Sequence, residues 1–335
     1  MKTLLCVIGG ALLAFHLTPQ TTSAAPDPVI DNLVLPHDYK TSDYGAIPYY
    51  VKSGDGSQTI ILIPGLGFDE SVFANFAAAN QKRYATYRIT VPGFGKTSAP
   101  PMPKEGTSFG EQSWNKSVLE GLNKLIASEK LARPVILGHF TVGAQLALRL
   151  AIDYPDKVGA VIIAGGPARF IPIRNGQIVQ YSLTSRIIGA DKYSTAYYRS
   201  MTKSTWDAGN YLPGLYSINE KTGVDLWNQV ASVPIQVMVR YLCEFQASDV
   251  TLEMDRIRCP VLVLRPGFTQ ELLTHPEDAN VNYIKPQFID SWDEARRKNT
   301  LVEVQDIPGS GAFVWKDQPG EVNRRIDRFI QEKIK

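Results

Sequence analysis

The chain has 335 residues, with 35 Lys plus Arg against 33 Asp plus Glu and a formal charge of +2. A hydrophobic share of 44% suffices for the core of one large domain, and the even charge balance without a basic run excludes nucleic acid as a partner. Three cysteines are too few for a disulfide scaffold.

In chain order, Lys2, an apolar run over residues 4–17 and Thr22-Ser23-Ala24-Ala25 form the charged, hydrophobic and cleavage regions of a signal peptide spanning 1–25. The run is shorter than the roughly 20 residues needed to span a bilayer, and no later segment is longer. The expectation is a secreted or periplasmic protein without a membrane span. Residues 47–52 and 59–63 read as strands, and the intervening Ser53-Gly54-Asp55-Gly56 reads as a hairpin turn that gives the sheet an antiparallel entry. A helix over 71–81, a strand over 87–91 and a Pro- and Gly-rich loop over 100–110 follow. The next helix, 113–129, carries Val118, Leu119, Leu122, Leu125 and Ile126 on one face. A strand over 134–138, a helix over 142–153 and a strand over 158–164 continue the alternation that builds a parallel α/β sheet.

From 167 to 248 the strand rhythm stops and aromatic residues concentrate, among them Tyr197, Trp206, Tyr216 and Trp227. It resumes with a strand over 261–264. The chain therefore divides into a core, 26–166 plus 249–335, and an inserted helical cap, 167–248. Of the two cysteines beyond the leader, Cys259 before Pro260 suits a buried strand entry, while a Cys243 to Cys259 bridge remains open in an oxidising compartment. Arg169, just past the strand ending at Gly165-Gly166, suits a surface salt bridge.

Four stretches carry a more specific signal: Ile60-Ile61-Leu62-Ile63-Pro64-Gly65-Leu66-Gly67, Val91-Pro92-Gly93-Phe94-Gly95-Lys96-Thr97-Ser98, Gly138-His139-Phe140-Thr141-Val142-Gly143 and Ile307-Pro308-Gly309-Ser310-Gly311-Ala312-Phe313-Val314-Trp315. In that order and strand-turn-helix context they resemble the α/β-hydrolase superfamily, in its capped esterase and epoxide-hydrolase-like branch. The resemblance implies an α/β-hydrolase fold, a mostly parallel sheet flanked by helices. It also implies an oxyanion hole from the amides of Leu66 and Val142, and a nucleophile on the sharp turn after residue 138. Two registers fit that turn. Read from the strand, Phe140 takes the nucleophile position and Val142 stands where a glycine belongs; read from the helix, Thr141 takes it and His139 stands at the other glycine.

Neither register offers serine or cysteine. The position of the general base holds Ala312, and the position of the acid holds Gln270 with Glu271 beside it. An alanine accepts no proton, so the standard mechanism lacks its base. A substitute relay of Thr141, His275 and Glu271 stands against plainer readings: Thr141 as a helix N-cap and His275 as a solvated loop residue. His139 beside the turn reads as a packed, hydrogen-bonded core imidazole, and with Phe140, Phe313, Trp206 and Tyr197 it is a candidate for the pocket wall. No phosphate loop and no metal-ligand spacing occurs, so no cofactor and no metal is expected. The expected function is a degenerate-triad protein that binds a small, largely apolar, oxygen-bearing ligand in the cleft between core and cap. The alternative is an atypical hydrolase of an ester or lactone working through Thr141, and triad-free chemistry steered by Gln270 and His139 stays open.

Overall fold

The computed structural model describes residues 29–31, 33–171, 173–174, 177–178, 182–274 and 283–334. The leader over 1–25 and His275 lie outside the described residues. The strands are β1 (Tyr50–Ser53), β2 (Gln58–Ile63), β3 (Tyr84–Ile89), β4 (Val135–His139), β5 (Ala160–Ala164), the short β6 (Ile173–Arg174) and β7 (Gln177–Ile178), β8 (Val261–Pro266) and β9 (Val302–Ile307). Seven of them form one sheet in the order β1-β3-β2-β4-β5-β8-β9, in which only β1 runs antiparallel. The central strands β4 and β5 are buried along their whole length, as expected of parallel strands covered on both faces.

Helices α1 (Ala74–Asn80), α2 (Ser113–Ser128) and α3 (Val142–Asp153) flank the first half. The α2 stripe of Val118, Leu119, Leu122, Leu125 and Ile126 is buried as its spacing requires. Between β5 and β8 lie α4 (Leu183–Ile188), α5 (Thr195–Arg199), α6 (Lys203–Asn210), α7 (Pro213–Tyr216), α8 (Glu220–Ala231) and α9 (Ile235–Gln246). The chain closes with α10 (Gln270–Thr274), α11 (Ser291–Lys298), α12 (Val314–Asp317) and α13 (Pro319–Lys333). Among the described residues no helix is long and apolar enough to cross a membrane.

The expected hairpin between the first two strands does not form. β1 pairs with β3, and β3 lies between β1 and β2. An apolar strand such as β2 needs a partner on each side, and it finds β3 and β4. The glycines of the connection serve a crossing instead. A Cβ on Gly54 would lie 2.2 Å from the Tyr84 carbonyl oxygen, and one on Gly56 would lie 2.0 Å from the Arg83 carbonyl carbon.

Two polar devices join the insertion to the core. Glu244 of α9 is fully buried and accepts the first amides of α2, from Trp114 and Asn115, at 2.9 Å each, while Arg240 one turn earlier pairs with the same carboxylate at 3.0 Å. A carboxylate there meets the positive end of the helix and orphan donors. Arg169 joins Asp249 at 3.4 Å and Glu294 at 2.5 Å, with Arg186 on Asp249 at 3.5 Å. The salt bridge expected at Arg169 is thus present, with Asp249 and Arg186 buried and Glu294 reaching solvent. Cys243 and Cys259 are both buried and share no disulfide; burial pushes the Cys259 thiol up to about 11.

Candidate functional site

The carboxyl ends of β2, β4, β5, β8 and β9 meet along one edge of the sheet, where Pro64, His139, Ala164, Pro266 and Ile307 close their strands or follow them directly. The turn after β4 is strained. Phe140 has φ 37°, and Thr141 follows with φ 43° and ψ −100°. A β-branched residue adopts such angles only when the surroundings impose them.

Those surroundings support each register at one of its two glycines. A Cβ on Gly138 would lie 2.3 Å from the Gly143 carbonyl oxygen and 2.6 Å from Ala147 Cβ, so the strand must pass the helix as glycine. A Cβ on Gly143 would lie 2.4 Å from the Pro64 carbonyl oxygen and 2.5 Å from that of Ile63. Both close approaches are real, one belonging to each register. Four residues separate these glycines, where a G-x-S-x-G turn has three, and the extra residue is absorbed by two successive left-handed conformations.

Thr141 stands at the N-terminus of α3, but its hydroxyl caps no amide. The expected N-cap bond fails because a cap residue uses extended backbone, not this left-handed turn. Its Oγ1 is buried and has no hydrogen-bond partner. Of the substitute relay, Glu271 lies with Gln270 on the exposed side of α10, and neither hydrogen-bonds Thr141, while His275 lies outside the described residues. The amides of Leu66 and Val142 engage no carbonyl among the described residues, as an oxyanion hole requires.

The place of the base is filled by main chain. Ala312 is fully buried, and a Cβ on Gly165 would lie 1.8 Å from its carbonyl oxygen. The inserted helix α7 sits on this segment, with the amides of Ala312 and Phe313 donating to Leu215 and Tyr216 at 2.8 and 2.9 Å. The Asp317 carboxylate secures the contact by accepting the Ser217 hydroxyl at 2.5 Å, the Ile218 amide at 3.2 Å and the Gly311 amide at 2.8 Å.

His139 is wholly buried, with ring centroids 4.2 Å from Phe313, 4.7 Å from Trp315 and 5.6 Å from Phe140. The packed imidazole is as expected; the expected hydrogen bonds are absent, since neither ring nitrogen has a partner in good geometry. Burial holds its pKa well below the usual histidine value, opposed by the Ala312 backbone and reinforced by the Lys316 charge. Burial thus favours the neutral ring, which packs as one more aromatic in the cluster.

Above Thr141 the insertion encloses a chamber of about 50 Å³. Leu66, Phe140 and Thr141 form its floor, Trp206 and Tyr216 come from the insertion, and Tyr283 and Gln287 from the segment before α11. Of the expected wall, Phe140 and Trp206 are therefore in place. His139 and Phe313 pack beneath it, and Tyr197 lies outside, 40% exposed and edge-on to Tyr198. Sequence reading missed Tyr283 and Gln287, which lie at a helical turn, Lys285–Asp290, that matches no motif. A larger hollow of about 440 Å³ lies between α2, α3 and α4, but no residue of the turn after β4 borders it. Among the described residues no cluster of His, Cys, Asp or Glu is arranged to hold a metal ion.

Residues 60–325 match the Alpha/beta hydrolase family. The chain is 30% identical over 135 residues to a 2-hydroxy-6-oxononadienedioate/2-hydroxy-6-oxononatrienedioate hydrolase of Paraburkholderia phymatum, a match that takes in 37% of this chain and only 43% of that relative. Against a pimeloyl-(acyl-carrier protein) methyl ester esterase of Nitrosospira multiformis the identity is 21% over 293 residues, covering 86% of this chain and 100% of the relative. The solved structure of a thermophilic esterase from Thermogutta terrifontis superposes with a TM-score of 0.61 at 14% identity, over 85% of this chain and 93% of that one.

Proposed function

Because the chain belongs to the alpha/beta hydrolase family, we propose that it keeps the family's cleft as a binding chamber for a small, largely apolar, oxygen-bearing ligand, its catalytic triad being degenerate. One observation carries this reading: the only hydroxyl on the turn after β4, that of Thr141, is buried with no group among the described residues to take its proton. A hydroxyl is a weak nucleophile until a neighbouring base or a lowered pKa activates it. The alanine at the base position and the exposed glutamine at the acid position point the same way. The aromatic floor and roof suit a ligand that is apolar over most of its surface.

The strained backbone at Thr141 favours a second reading, an atypical hydrolase of an ester or lactone that presents this hydroxyl to the unengaged amides of Leu66 and Val142. Short p-nitrophenyl esters and a fluorophosphonate probe separate the two. Binding alone predicts turnover no faster for the parent than for Thr141→Ala, and no labelling. Turnover that Thr141→Ala abolishes establishes the hydrolase. Export through the 1–25 leader is part of the same proposal, and N-terminal sequencing of protein recovered outside the cytoplasm, starting at Ala25 or Pro26, tests it.

A further inference from the structure

The polar groups around the chamber have one chemistry in common. Thr141 Oγ1 and Tyr283 Oη are both buried, and neither has a hydrogen-bond partner. Gln287 also borders the chamber; its Oε1 accepts the Ile171 amide at 3.0 Å, which fixes the side chain, and its NH₂ group makes no hydrogen bond among the described residues. Orphaned buried hydroxyls are rare in folded proteins because each forfeits its hydration without return. Two beside one chamber, with an oriented amide donor, make a set of groups waiting for an acceptor.

Among the described residues the same lining contains no Asp, Glu, Lys, Arg or His. A carboxylate entering it would lose its hydration and meet no countercharge, a large penalty in a site walled by Phe140, Phe170, Trp206 and Phe288. Burial alone drives the Tyr216 phenol well above its usual range and is the main cause for Tyr283, which marks the space as hostile to anions. A volume of about 50 Å³ suits a compound of about three or four heavy atoms.

We propose that the chamber takes an uncharged ligand carrying a single acceptor oxygen, such as a carbonyl, held by the hydroxyls of Tyr283 and Thr141 and the amide of Gln287, and that it rejects carboxylates. This rests on the binding-chamber reading and narrows it. It also sets the chain apart from a relative whose name specifies a dioate.

Three probes of four heavy atoms each and the same trigonal shape test it by ligand-observed NMR titration of the whole protein at pH 7: acetone, which has the acceptor and no charge; 2-methylpropene, which lacks the acceptor; and acetate, which is charged. The expected order is acetone tightest, 2-methylpropene about three- to tenfold weaker, and acetate weakest. Tyr283→Phe is expected to weaken acetone by a similar factor while leaving 2-methylpropene unchanged. Equal binding of ketone and alkene by the parent overturns the acceptor clamp and leaves the chamber standing, and carboxylate binding as tight as ketone overturns the neutrality argument. If no probe binds, the chamber reading fails as well. The parent's selectivity alone decides the matter should Tyr283→Phe fold poorly.

Discussion

His139 makes the sharpest test of the site's construction. Its ring is buried among Phe313, Trp315 and Phe140 with neither nitrogen hydrogen-bonded, and burial holds its pKa well below the usual value. The folded protein therefore binds no proton at His139 in mildly acidic solution, whereas the unfolded chain binds one below about pH 6.5. Stability rises with pH wherever the unfolded state holds more protons, so this group's contribution is complete above about pH 6.5 and is lost as pH falls towards the depressed folded value. The slope is about 1.4 kcal/mol per pH unit, or about 2 kcal/mol by pH 5. Against a typical domain stability of about 5–15 kcal/mol that loss is readily measured. The background in this window is low, because the whole chain has four histidines and His37 is exposed. Urea unfolding of parent and His139→Leu at half-unit steps from pH 5 to 7.5 gives the assay. The stability difference between them should shift by about 2 kcal/mol in favour of the leucine variant on acidification. Parallel pH profiles for the two proteins would refute the reasoning, since they would mean that the imidazole is protonated or hydrogen-bonded in the folded state.

Other substitutions test the neighbouring elements by equilibrium denaturation. Thr141→Gly should stabilise the protein by about 1 kcal/mol, as the release of left-handed strain and of a buried unpaired hydroxyl outweighs the added freedom of the unfolded chain; a loss of stability would show that the threonine is anchored by contacts not identified in the fold. Gly165→Ala should cost about 3 kcal/mol or more, because the new methyl meets the Ala312 carbonyl and backbone must move; a neutral result would place that carbonyl elsewhere. Asp249→Ala should cost about 3 kcal/mol by leaving the buried Arg186 without its carboxylate, while Arg169 keeps Glu294, and a change below about 1 kcal/mol would show that water reaches Arg186.

Much of the architecture was readable before any coordinates. Residues 142–153 were expected as a helix and form α3 with those bounds, because an apolar strand, a sharp turn and a long apolar run leave few alternatives. The pause in strand rhythm after β5 is present as helices α4 to α9, although the short β6 and β7 interrupt it. The neighbour of β1 was not, since strand order depends on which edge of the sheet is vacant and a local turn motif carries no such information. At the site, Phe140 and Trp206 were legible as wall residues from motif and composition. Tyr283 and Gln287 were not, because an orphaned hydroxyl is a property of the surroundings and not of the residue. The unsatisfied state of His139 has the same origin: Phe68, Phe73 and Trp315 close around it from distant parts of the chain and bring no acceptor.

On the proposed binding reading, the six-residue span from Gly138 to Gly143 places a lasting obstacle before a serine-based mechanism. A serine exchanged for Phe140 or Thr141 would ride on a loop one unit too long, with its oxygen displaced from where an attacking atom must stand. Installing a serine relay would require shortening the main chain and building a base at 312, where Gly165 and α7 already occupy the room. Changes of loop length act as a ratchet in a way that exchanges of side chains do not.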